Sequence, residues 1–275
     1  MNIAYVTDST IGLSPREAEQ QGCYSIAQQV VLGGKSYRDY LEITPEQIMQ
    51  AQKGGQKVGT SQPAPEDIEQ TYRTLLQTHE VILSVHVSGK LSGTYSTAKN
   101  VAAQFGGRVL VLDGLTLNGG LSFLIEEARR LLARGYAVKQ LEPPLSAYAG
   151  RICGFVVPAT LEYLHRGGRI GGLQAFLGGL LKITPILHIE GGLVKAKDRA
   201  RGFERALDKV ASLLHQRFPE GARVVLAHSD NLEGVAHLHN LIRSEGIVVQ
   251  DIRHCGAAVS AHTGPGTVAL FAAPG

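Results

Sequence analysis

The chain reads as an α/β protein of two domains, the first built around a parallel sheet and the second around a mixed one. Three observations lead there. Short apolar runs, many β-branched, alternate with longer amphipathic stretches through the first half of the sequence. Further on, Glu190-Gly191-Gly192 separates two such runs directly, the pattern of a hairpin and therefore of antiparallel pairing. The length of 275 residues, 44% of them hydrophobic, exceeds a usual single core, which divides the chain into residues 1–150 and 151–275.

Taken in order, residues 3–6 (Ile-Ala-Tyr-Val) form a buried strand that ends in Thr7-Asp8-Ser9-Thr10. Apolar runs at 81–85 and 109–112 predict two more strands, and helical patterns occupy 65–77, 93–104 and 117–134. Such alternation calls for right-handed βαβ crossovers, which gather strand C-termini and helix N-termini along one edge where ligands bind. After the division, 151–157 predicts a strand, and Pro158-Ala159-Thr160 opens a helix at Leu161 that the glycine pairs around Arg169 and Ile170 bring to an end. The hairpin strands lie at 184–189 and 193–197. Helices are then expected at 201–217 and 232–244, with strands at 222–227 and 247–251.

Composition narrows the function. A formal charge of +3 without a lysine or arginine block argues against nucleic-acid binding. No stretch offers ~20 uninterrupted apolar residues for a membrane span, and the N-terminus carries no signal-peptide pattern, so a cytoplasmic protein is expected. Cys23, Cys153 and Cys255, odd in number and widely spaced, are expected to be free thiols. Neither a P-loop, a dinucleotide fingerprint nor a Gly-x-Ser-x-Gly elbow occurs, and no histidine spacing argues for zinc. No cofactor or metal is expected, and Asp8 reads as a turn-former.

Three distant segments instead share neutral donors: Thr60-Ser61-Gln62-Pro63, Leu91-Ser92-Gly93-Thr94-Tyr95 and Ala261-His262-Thr263-Gly264-Pro265-Gly266. Ser92 stands where a helix N-cap belongs, and Gly93, Thr94 and Tyr95 would present free amides to an anion at that helix start. Thr60 and Ser61 either cap the helix that follows or donate hydroxyls to the same anion. His262, in a sharply turning loop, is either structural or a donor, and Arg169 either meets helix-end carbonyls or complements a negative ligand. An enzyme using Ser92 as a nucleophile and His262 as its base is the alternative, and it requires the two within hydrogen-bond reach.

As an ordered set these segments resemble the DegV family. The resemblance rests on residues 7–10 (Thr-Asp-Ser-Thr), 60–63 (Thr-Ser-Gln-Pro), 90–95 (Lys-Leu-Ser-Gly-Thr-Tyr), 161–164 (Leu-Glu-Tyr-Leu) with 167–170 (Gly-Gly-Arg-Ile), 185–187 (Pro-Ile-Leu) and 262–266 (His-Thr-Gly-Pro-Gly). It implies two α/β domains with a long-chain fatty acid between them. The carboxylate would be bound at Thr60, Ser61, Ser92, Gly93, Thr94 and Thr263, with Arg169 and His262 nearby. It further implies a non-catalytic subunit of a bacterial fatty-acid kinase, presenting the acid to a separate ATP-binding subunit that makes acyl phosphate for phospholipid synthesis. Gly89, Gly114, Gly171 and Thr184 stand where the family often carries serine, serine, serine and lysine. The apolar, glycine-rich stretch 173–187 is a candidate lining for the acyl chain.

Overall fold

The computed structural model describes residues 2–169 and 183–275. Its first half runs β1 (Ile3–Asp8), α1 (Pro15–Gln20), β2 (Tyr24–Ile26), β3 (Gln29–Leu32), β4 (Lys35–Arg38), α2 (Pro45–Lys53), β5 (Val58–Ser61) and α3 (Pro65–Leu75). It continues with β6 (Val81–His86), α4 (Thr94–Ala102), β7 (Val109–Asp113), α5 (Gly119–Ala133) and α6 (Glu142–Ala149). The second half has β8 (Cys153–Val157), α7 (Glu162–Arg166), β9 (Ile183–Glu190), β10 (Leu193–Arg201) and α8 (Phe203–Arg217). Then come β11 (Ala222–Ser229), α9 (Leu232–Ile242), β12 (Ile247–His254), α10 (Ala257–Thr263) and β13 (Thr267–Pro274).

The expected parallel sheet is present, in the order β2-β1-β6-β7 with every pair parallel. The mixed sheet has the order β10-β9-β8-β13-β11-β12, where only β11 and β12 run parallel. A third, antiparallel sheet, β4-β3-β5, was not legible as strands in the sequence.

Alternating side chains stack these sheets into layers. Ala4 and Val6 of β1, with Ile82 of β6, face a core shared with α3 and α4. Leu83 and Val85 face the opposite way, into a core that also receives α5. From the other side, Val225 and Ala227 of β11 and Ala269, Phe271 and Ala273 of β13 enter that same core. Their neighbours Val224, Leu226, Val268 and Leu270 pack outward under α8 and α9. Helix α5 is therefore the middle layer between the two large sheets. Its first turn sits so close that a Cβ on Gly119 would lie 2.5 Å from Val225 Cβ.

Several boundaries differ from expectation for identifiable reasons. α5 starts at Gly119 instead of 117, because Asn118 holds φ 48 and its side chain accepts from the Gly119 amide. The hairpin strand expected to end at 197 runs to Arg201, through a bulge between Ala196 and Asp198. Gly202, at φ 95, then makes the turn into α8, so the helix expected from 201 begins at Phe203. The segment around His262 is not a loop. Residues 257–263 form α10, and the turn comes after it, at Gly264 and Gly266 with φ 75 and 85. The last strand, β13, is central to the mixed sheet yet had no expected counterpart. The helices α1 and α2 open on full capping boxes, Ser14 with Glu17 and Thr44 with Gln47, each with proline at the first helical position.

Candidate functional site

Helix α10 is fixed from both ends. The buried Asp39 carboxylate accepts the amides of Ala257 (3.2 Å) and Ala258 (3.2 Å) at its start and the Ser9 hydroxyl (2.8 Å). Burial pushes that carboxyl up to about 6. Near its end, Gln52 Nε2 donates to the carbonyls of Ser260 and Ala261. The small side chains Ala257, Ala258 and Ala261 pack on Val30 and Ile48. This docking carries His262, in the last helical turn, to β5.

There His262 Nε2 lies 2.6 Å from Thr60 Oγ1. Burial, with the nearby Arg169 guanidinium, pushes the imidazole down to about 4, so it is neutral at pH 7. Its Nδ1 is buried without a hydrogen-bond partner among the described residues. A buried donor left unpaired costs more than an unpaired acceptor with weak demand, so the proton belongs on Nε2. Nε2–H then donates to Thr60, whose own hydroxyl hydrogen is free to point elsewhere.

The third segment lies opposite. Ser92 Oγ and Thr94 Oγ1 are 2.8 Å apart, and Thr94 Oγ1 in turn meets the Gln28 amide. Gly93, not Ser92, is the N-cap of α4, although Ser92 Oγ does accept from the Thr94 amide at 3.3 Å. The loop is tied to the second half of the chain at three places. Ser88 Oγ donates to the Gly192 carbonyl (2.8 Å), Lys90 Nζ to the Gly191 carbonyl (2.8 Å), and Arg169 Nε to the Leu91 carbonyl (3.1 Å).

Between these groups and the two sheets lies a cavity of about 450 Å³. One part is lined by Thr60, Ser61, Gln62, Ser92, Gly93, Arg169 and His262. The rest is largely apolar: Val87 and Leu91 from the first half, and Val156, Leu187, Ile189, Ala269 and Phe271 from the inner face of the mixed sheet. None of its described lining residues is acidic, and Arg169 is the fixed cation among them. A volume of this order suits a small organic ligand.

All eight singled-out residues are thus accounted for. Seven line this cavity, Thr263 from beside His262. Thr94 is fully buried behind Ser92 and supports it. Arg169 meets the helix-end reading, since its Nη1 donates to the carbonyl of Gly167 at 2.7 Å, and it also lines the cavity. His262 is paired with Thr60, not with Ser92, so the hydroxyl next to the candidate base is not the one the nucleophile reading requires. Of the stretch 173–187, residues 173–182 lie outside the described residues, as does Gly171; Leu187 lines the cavity. Gly114 cannot gain a side chain easily, because a Cβ would stand 2.5 Å from the His86 carbonyl.

Asp8 does more than form a turn. Burial alone would raise its carboxyl, but the His86 ring and the Thr10 hydroxyl and Val87 amide bring it below the usual value. Tyr72 OH donates to Ser84 Oγ (2.8 Å), Ser84 Oγ meets His86 Nε2 (2.8 Å), and His86 Nδ1 meets Asp8 Oδ2 (3.0 Å). This Ser–His–carboxylate series is sealed, with Ser84 and His86 both 0% exposed, so it can attack nothing. It anchors Thr10 and Val87, both at the cavity wall. Asp8 as an anchor, Gln28 behind Ser92, and the Ser88–Gly192 tie had no signal in spacing, because each depends on a partner far away in sequence.

Cys23 and Cys255 are buried free thiols and Cys153 is partly buried. No described helix is long and apolar enough to cross a membrane.

Comparison with known proteins places the chain. The family model described as "Uncharacterised protein, DegV family" matches residues 2–275. A DegV domain-containing protein of Deinococcus radiodurans is 36% identical, over 100% of this chain and 99% of its own length. A protein of Thermotoga maritima named "Fatty acid-binding protein" is 33% identical, over 98% of this chain and 96% of its own. Among solved structures, a DegV family protein from Thermus thermophilus, described by its fatty-acid binding, superposes with a TM-score of 0.92 at 36% identity, with 100% of both chains covered. By the family match and these full-length likenesses, the chain belongs to the DegV family.

Proposed function

We propose that this protein binds one long-chain fatty acid in the cavity between its two halves, residues 1–150 and 151–275. The carboxylate is held by Thr60 and Ser92, with Ser61, the Gly93 amide, Arg169, His262 and Thr263 around it and Thr94 behind. The observation that carries this reading is the meeting of three distant hydroxyl-bearing segments at one side of a cavity whose remaining lining is largely apolar. The fatty-acid binding described for the Thermus thermophilus and Thermotoga maritima relatives supports it.

The physics fits such a ligand. Burying ~15 methylenes contributes on the order of 10 kcal/mol before ordering costs. Affinity then comes from the tail, and the head needs orientation. Neutral hydroxyls supply that without the desolvation cost of a buried ion pair, and Arg169 adds partial charge compensation from the rim.

The protein itself is non-catalytic in this reading. It presents the carboxylate to a separate ATP-dependent kinase, in the cytoplasm of a bacterium, for acyl-phosphate formation and phospholipid synthesis. The support for this step is the resemblance carried by the ordered motifs, together with a site whose histidine is paired to Thr60 instead of a nucleophile. Native mass spectrometry of the purified protein, followed by organic extraction, tests the binding. A single adduct with the mass of a long-chain acid is expected; protein that carries none and takes up none from solution would overturn it. Incubation of the loaded protein alone with ATP should leave the acid unphosphorylated.

A further inference from the structure

One more side chain lines the polar end of the cavity. Gly93 has an ordinary right-handed backbone, φ −70 and ψ −5, so its conformation does not demand glycine. What demands it is Gln62. A Cβ at position 93 would overlap Gln62 Oε1 outright and stand 3.0 Å from Gln62 Cδ. The amide of Gln62 therefore rests on the bare Cα of Gly93, a weak C–H···O contact.

Three further features define what this side chain can do. Gln62 lines the cavity beside Thr60, Ser92 and Arg169, yet is itself solvent-exposed. Its amide makes no hydrogen bond among the described residues, where it rests against Gly93. Its backbone is the opposite case. It follows β5 directly and precedes the buried Pro63, which favours an extended backbone at residue 62 and so restricts where the side chain starts. Gln62 thus combines a root set by its neighbours with an amide end that makes no hydrogen bond among the described residues.

We propose that Gln62 is a positioning residue that covers the ligand's carboxylate, donating its amide N–H to it when closed and swinging off Gly93 when open. This rests on the fatty-acid reading above and adds what controls access to the head group. Gly93 then serves twice: its amide stands at the start of α4, and its bare Cα is the surface on which the cover closes. Any partner that reacts with the carboxylate must first displace Gln62. Opening forfeits only a weak contact and one hydrogen bond, so the cover yields readily to such a partner.

The test uses [1-13C]palmitate bound to the full chain. Carboxyl accessibility is read from broadening of the 13C signal by a soluble gadolinium chelate, and dissociation from transfer to acceptor vesicles. Gln62→Ala should keep one palmitate per chain while broadening and dissociation rise roughly five- to tenfold. Gln62→Asn, too short to cross Gly93, should behave like Gln62→Ala, and Gln62→Glu should dissociate faster still because it sets a carboxylate against a carboxylate. Gly93→Ala should push the cover aside and give the Gln62→Ala result, with no further change in the double variant. Parental broadening and dissociation in folded, loaded Gln62→Ala and Gln62→Asn would overturn the proposal. If the parent itself takes up no palmitate, the fatty-acid reading fails and this inference fails with it.

Discussion

Thr60 and His262 are 202 positions apart in sequence and 2.6 Å apart in space, one on an edge strand of the small sheet and the other in the last turn of α10. Their bond has a sense. With the imidazole neutral and Nε2 protonated, Thr60 accepts from histidine and donates into the cavity. Replacing Thr60 with valine keeps the shape and removes the donor, so affinity for a long-chain acid should fall about tenfold, near 1.4 kcal/mol. His262→Ala should cost a similar amount because it frees the Thr60 rotamer. His262→Gln, which keeps an N–H at comparable reach, should cost less. Displacement of a fluorescent fatty acid measures all three, and parental affinity in both Thr60→Val and His262→Ala would remove the pair from the site.

Two adjacent glycines separate packing from backbone effects. Gly167 has φ −79, but a Cβ there would overlap His262 Nδ1 and stand 2.8 Å from its Cε1. Gly168 has φ 71 with open space around it. Gly167→Ala should therefore displace His262 and weaken binding, again about tenfold. Gly168→Ala should leave affinity alone and lower stability by about 1 kcal/mol through its left-handed backbone. Binding and urea titrations on both variants give the contrast; the reverse pattern would mean His262 does not depend on the bare Gly167 surface.

How much of this was legible in the sequence follows from the range of the forces involved. β1, β6, β7 and the hairpin β9–β10 were readable because burial on one or both faces writes itself into consecutive residues. The strand β13 was not: Thr267–Pro274 is mostly alanine, valine and phenylalanine, apolar without alternation, and Gly264 and Gly266 before it read as open loop. The small sheet failed for the opposite reason, since β4 is Lys-Ser-Tyr-Arg and largely exposed. Within the site, Thr60, Ser92 and His262 stood out through their turn chemistry. Asp39 and Gln52, which hold α10 in place, did not, because each bonds backbone groups more than 200 residues away.

The tie between the halves predicts a local effect on the Ser92 loop. Ser88 is fully buried, its hydroxyl donates to Gly192, and its carbonyl accepts the amides of Leu91 and Ser92. Gly192 has φ 82, and a Cβ there would overlap Ser88 Oγ. Ser88→Ala should leave the Gly192 carbonyl unpaired and speed hydrogen exchange at residues 88–94 at least several-fold, with little change in the mixed sheet. Ser88→Thr keeps the donor and should lie closer to the parent. Uniform exchange across the whole chain in Ser88→Ala would show a global loss of stability instead of a loop held by this bond.

Three buried or partly buried groups pull acid stability in opposite directions. His254 and His262 are pushed from 6.5 down to about 4 by burial, the first also by His228 and the second also by Arg169. Between those values the unfolded chain takes up protons that the folded one refuses, so each histidine lowers stability as pH falls through that window, by about 3 kcal/mol in full. Asp39 works the other way. Burial raises it from 3.8 to about 6, so across that interval the folded state holds the extra proton and stability rises as pH falls. It offsets roughly one histidine, so these three groups together contribute a net loss of about 3 kcal/mol between pH 6.5 and 4. Urea titrations of ligand-stripped protein in steps over this range should show that slope. His262→Gln should nearly flatten it, and Asp39→Asn should steepen it whatever its effect at pH 7. A parent whose stability is level from pH 7 to 4.5, with His262→Gln parallel to it, would mean that the ring beside Thr60 takes a proton as readily in the folded chain as in the unfolded one, and that burial does not hold it neutral.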